Sequence, residues 1–148
     1  CTAIKNHLLF FNFGDVKDGA SQASIRSDDI SLHQAYIDGS VLRRYTFTID
    51  CFKSVAYNPI LEGTSTDPII NENVDELNQV QEILDWINEQ GEEENFPNFG
   101  PSYVVEKMET LTTKPDLVTV DTSLNPPMAI YRISIQIDYI DNTKKIWN

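Results

Sequence analysis

Tyr36-Ile37-Asp38-Gly39-Ser40-Val41-Leu42-Arg43-Arg44-Tyr45-Thr46-Phe47-Thr48-Ile49-Asp50-Cys51-Phe52 is the stretch on which the fold turns. Asp38-Gly39 stands between two β-rich runs, and both residue types tolerate the positive φ that tight hairpin turns need. Beyond the turn, Tyr45, Phe47, Ile49 and Cys51 alternate with Thr46, Thr48 and Asp50. Successive strand side chains point to opposite faces, so this period of two describes a half-buried strand. Its β-branched and aromatic content agrees. Upstream, Ile30, Leu32 and Tyr36 lead into the hairpin. Residues 20–26 form a weaker strand candidate, with a turn signal at Asp28-Asp29 between them.

Further out, residues 128–140 repeat the alternation more strongly. Tyr131, Ile133, Ile135, Ile137 and Tyr139 share one face; Arg132, Ser134, Gln136 and Asp138 share the other. Residues 103–111 make a third strand, and residues 114–127, with Pro115, Pro126 and Pro127, read as a loop. Residues 73–90 predict the one main helix. Val74, Leu77, Val80, Ile83, Leu84 and Ile87 recur on one stripe, with Trp86 beside it. Asn73 is the expected N-cap, Glu76 completes a capping box, and Gly91 is the expected C′ residue. Residues 56–71 read as a long loop, and residues 3–11 as a helix tail or a strand. The tail, residues 141–148, is polar and is expected to fray or to dock on a partner. The expected fold is a single α+β domain over residues 1–148. It has an antiparallel or mixed sheet with one amphipathic helix packed on one face, in two layers.

Composition narrows the function. The 148 residues carry 11 basic and 23 acidic side chains, a net −12. Affinity for nucleic acid rests on cations that neutralise phosphates, and this chain lacks them. An acidic chain is also repelled by anionic lipid, and no apolar run reaches the roughly 18 residues of a membrane span. No signal-peptide pattern is present. A chain that opens on Cys1 rather than Met is expected to be truncated or processed. Cys1 and Cys51 do not make a disulfide framework, and Cys51 reads as a small buried hydrophobe.

Chemistry-bearing motifs are sparse. The six glycines are scattered and form no phosphate loop. Neither His7 nor His33 has a partner at metal-ligand spacing. A Cys51–His33 dyad would need an electropositive setting, and Asp50 stands beside the thiol. The acidic segment is the other feature: from Glu72 to Glu94 there are nine acidic residues and no basic ones. Glu82, Asp85 and Glu89 share a helix side, and Glu92, Glu93 and Glu94 follow. Such a face is ordinarily solvated. The functional reading is an acidic wall that polyanions slide past without sticking. No metal, cofactor or catalytic residue is expected.

The segment from Tyr36 to Phe47 resembles a "Y-[IV]-D-G-S-x-x-[KR]-x-Y-x-F" signature. It occurs in small structural proteins of tailed phages and prophages of Gram-positive bacteria, the minor capsid, tail completion or tail terminator proteins. Asp85-Trp86-Ile87, Pro97 and the "Y-R-I-x-I-Q-I-x-Y" strand from Tyr131 to Tyr139 follow in the same order, so the resemblance covers residues 30–140. The chain departs from the pattern in its short start and in the loop at residues 61–71. The resemblance implies a tail-terminator-like fold and a non-enzymatic virion protein made in the host cytoplasm. It would cap the tail tube as a hexameric ring and join it to the neck or head-completion proteins, while genomic DNA passes through. Tyr36, Asp38, Gly39, Arg43 and Arg44 are then candidates for the hairpin and the interface between copies, with both arginines pairing with carboxylates of a neighbour. Glu82, Asp85, Glu89, Glu92, Glu93 and Glu94 are candidates for an acidic lumen or exposed face. The alternatives are another neck, head-completion or tube protein, a non-viral adaptor domain, or a metal-dependent hydrolase using the acidic helix.

Overall fold

The alternation along residues 45–52 becomes one arm of a long hairpin. The computed structural model describes residues 8–11, 22–55 and 68–146. The elements in order are β1 (Leu8–Phe11), β2 (Gln22–Ala35), β3 (Val41–Ser54), α1 (Pro68–Glu92), β4 (Tyr103–Thr110), β5 (Asp116–Asp121) and β6 (Met128–Asp141). One sheet runs in the order β1-β2-β3-β6-β4, with β5 also on β6. It is mixed: β1 runs parallel to β2, and every other pair is antiparallel. β4 and β5 occupy successive stretches of the same β6 edge, Thr110 opposite Ile135 and Asp116 opposite Arg132.

The helix side of the sheet forms the core. Val80, Ile83, Leu84 and Ile87 of α1 pack with Ala23, Ile49, Cys51, Ile133, Ile135 and Ile137. Each Val, Leu or Ile side chain of this set contributes about 1.5–3 kcal/mol when it leaves water. Lys53 lies on the same face with no exposure at all. Its ammonium donates to Gln79 Oε1 at 2.7 Å and sits 2.9 Å from Glu76 Oε2. A buried cation is tolerated only with such partners.

The opposite face carries a ladder of charged pairs. Arg132 donates from Nε and Nη2 to both oxygens of Asp50, at 2.7 and 2.9 Å. Arg44 does the same to Asp138, at 2.9 Å each. Both pairs sit directly across β3 and β6, where cross-strand side chains meet.

Several sequence expectations are corrected. From Gln22 onward β2 is one strand through the Asp28-Asp29 signal, which is a register shift between Ser27 and Asp29. A bulge accommodates the extra residue where a turn would break the ladder. The loop at residues 114–127 contains β5, held by pairing with β6. α1 starts at Pro68, so Asn73 is inside the helix and is not its N-cap. Gly91 is also inside it. A Cβ there would collide with the Met108 carbonyl oxygen, so this glycine serves the close approach of helix and strand. The helix ends at Glu92, and Glu94 just beyond it takes a left-handed φ of 57°. Asn95 N–H donates to the Gln90 carbonyl at 2.9 Å and Glu94 N–H to that of Gly91 at 3.3 Å, the pattern of a Schellman cap. Val74 (47% exposed) and Leu77 (39%) leave the predicted stripe uncovered at its start. Described tail residues dock on this chain's own hairpin: Ile146 N–H donates to the Asp38 carbonyl at 2.8 Å. The rest of the predicted 56–71 loop up to residue 67, and Cys1 and His7, lie outside the described residues.

Candidate functional site

The hairpin of β2 and β3 is longer than the core it leaves. At roughly 3.3 Å per residue, its two 14-residue strands run to about 46 Å. Only the first three residues of β2 are buried, and residues 26–37 are exposed. The strand continues because β3 continues beside it.

At the tip, Tyr36 N–H donates to the Ser40 carbonyl at 2.9 Å and Gly39 N–H to the Tyr36 carbonyl at 3.1 Å. Gly39 has a φ of 87°. Asp38, against the sequence expectation, does not share the positive φ; among described non-glycine residues only Glu94 has one. The aspartate acts through its side chain instead. Its Oδ1 accepts from the Ser40 hydroxyl at 2.6 Å and from the Ser40 N–H at 3.0 Å. These bonds, the hydroxyl's foremost, hold its pKa below the ordinary carboxylate value. Lys145 stands 3.7 Å from its other oxygen. Tyr36 is exposed, and Ile37, at 98%, is the most exposed large apolar residue of the described chain.

Arg43 and Arg44 are engaged within the chain. Arg44 is bidentate to Asp138, and Arg43 Nε donates to Asp141 Oδ2 at 2.9 Å. They are thus not free to serve as the carboxylate-seeking pair expected at a contact between copies.

The helix covers only part of its side of the sheet. Beyond its end the same face continues as an open aromatic groove of about 400 Å³, lined by Ile30, Tyr45, Phe99, Tyr103 and Tyr139 among others. Phe99 and Tyr103 meet Tyr139 edge-on, with ring centroids 5.5 and 5.8 Å away. Sequence reasoning missed this groove. Tyr45 and Tyr139 were legible as face residues, but nothing local says where the helix stops covering them.

The acidic residues fall as the periodicity implies. Glu82, Asp85, Glu89, Glu92, Glu93 and Glu94 are all exposed. Asp85 accepts from Gln81 Nε2 at 2.8 Å, and Glu93 from Asn95 Nδ2 at 3.1 Å. Among the described residues, no group of three or more His, Cys, Asp or Glu is placed to hold a metal ion. Cys51 is buried, and desolvation pushes its thiol up to about 12, which keeps it protonated and unreactive. Among the described residues no helix is long and apolar enough to cross a membrane.

No protein-family model matches the chain, and a search of curated proteins finds no match either.

Proposed function

We propose that this chain is a structural protein of a tailed-phage virion, a tail terminator that caps the tail tube as a hexameric ring. The observation that carries this reading is where the resembling segment lies. Residues 36–47 make the tip of the β2–β3 hairpin and the start of β3, and Tyr36 and Ile37 at that tip are exposed, where a neighbouring copy or the tube can reach them. Head-to-tail contacts of that kind generate rings when the rotation closes. The exposed carboxylates of α1 suit a surface that passing DNA does not bind. The partners are then further copies of the chain, the tail tube protein and the neck or head-completion proteins, and its place is the virion tail or neck. The open aromatic groove favours a second reading, a binding or adaptor domain that takes a peptide segment there.

The test mixes the purified chain with tail tubes and images them by electron microscopy, with light scattering on the chain alone. Rings of six copies at tube ends support the terminator. A chain that leaves tube ends bare and binds peptide in the groove supports the adaptor.

A further inference from the structure

We propose that two copies of the chain join through the outer edges of their β2 strands, antiparallel and centred on Ser31. Among the described residues, nothing pairs with that edge beyond Ile25, because β1 spans only the stretch opposite Gln22–Ile25. Residues 26–35 are all exposed, so the edge can accept a strand. In an antiparallel pair, opposed side chains share a face, so a two-fold contact must match residues of one face with each other.

The residues of β2 do match. Register against β3 puts Ile30 opposite Tyr45 and Leu32 opposite Arg43, on the helix side. Asp29 lies opposite Thr46 and Ser31 opposite Arg44, on the other side. His33 is on that second side as well, near enough to Asp138 for its charge to act there. A two-fold axis at Ser31 therefore sets Ile30 against Leu32 of the second copy, and Asp29 against His33 of the second copy, each pair twice. Ile30 and Leu32 are 54% and 62% exposed in the single chain and gain cover by the contact. Register shifts after Ser27 and after Leu32 bracket the regular stretch of residues 29–32 and keep both apolar residues on the groove side. Charge selects the register too: sliding the axis to Asp29 would set the Asp29 carboxylates of the two copies against each other. Ile30 also lines the aromatic groove, so the two grooves meet across the axis.

This contact is isologous, whereas a ring needs a head-to-tail one, so the two readings fail separately. Light scattering after size exclusion on the full chain should give a dimer or an even multiple. Ile30→Asp with Leu32→Asp should halve the mass while the circular dichroism spectrum stays that of the folded chain, since both side chains are exposed in the single chain. Asp29→Lys should also lower the mass, and adding His33→Glu should restore it. Amide hydrogen exchange of the unaltered chain is a check that needs no variant: residues 29–33 should gain protection as concentration rises. A monomer at every concentration overturns the proposal. So does a mass indifferent to Ile30→Asp with Leu32→Asp, including a hexamer that persists, or a charge swap that fails to restore.

Discussion

Gly39 and Glu94 both take up left-handed backbone, with opposite consequences. At Gly39 the conformation is inexpensive because there is no Cβ, and a Cβ would also run into the Lys144 carbonyl of the docked tail. Gly39→Val should therefore cost about 2 kcal/mol or more in denaturant unfolding. An unchanged midpoint would mean that the turn and the tail both readjust freely. Glu94 carries the strain of an L-residue at a helix C′ position, roughly 1–2 kcal/mol. Glu94→Gly should stabilise the protein by about 1 kcal/mol, and a lowered midpoint would show that the carboxylate has an unseen favourable partner. Neither effect follows from residue type alone. Asp38-Gly39 announces a turn, but Gly91 looked like the cap and Glu94 looked like one more acidic residue.

At the level of elements, α1 divides at its middle. Val80, Ile83, Leu84 and Ile87 are covered by the sheet, while Val74 and Leu77 are not. Leu84→Ala should accordingly cost ~2–5 kcal/mol, through lost burial and the cavity left behind. Val74→Ala should cost under about 0.5 kcal/mol, in the range of surface changes. Equal losses at the two positions would contradict the packing. The covered half of α1 lies along β4. Asn88 Oδ1 accepts from the Thr110 N–H at 3.2 Å, and Gly91 meets the Met108 carbonyl. That contact shields part of an edge that would otherwise be open to other strands. The outer edge of β2 beyond Ile25 has no such cover among the described residues.

At the level of the molecule, stability has an acid limb and an alkaline limb. Asp38, Asp121, Asp138 and Asp141 titrate below the ordinary carboxylate value, chiefly through hydrogen bonds from Ser40, Ser123, Arg44 and Thr143. A group depressed in the folded state contributes stability above its unfolded pKa, about 3.9 for Asp, and loses it as pH falls through the lower folded value. Tyr131 and Tyr139 are raised, mainly by burial, so their contribution is present below about 10 and is lost as pH rises further. Unfolding free energy against pH should thus fall below pH ~4 and above pH ~10, and Asp138→Asn should flatten the acid limb. An acid limb identical in that variant would remove Asp138 from the account. Much of the architecture was legible in the sequence: the two alternating strands 45–52 and 128–140, the hairpin at Asp38-Gly39, the single helix and the acidic face of α1. Each depends on neighbours a few residues apart, and periodicity records those. The length of β2, the strand at β5, the true ends of α1, the intrachain partners of Arg43 and Arg44, and the aromatic groove were not legible. They depend on residues brought together from far along the chain, Arg44 with Asp138 or Gly91 with Met108. Local pattern determined which face of each element is apolar, and only the tertiary structure decided how much of that face is covered.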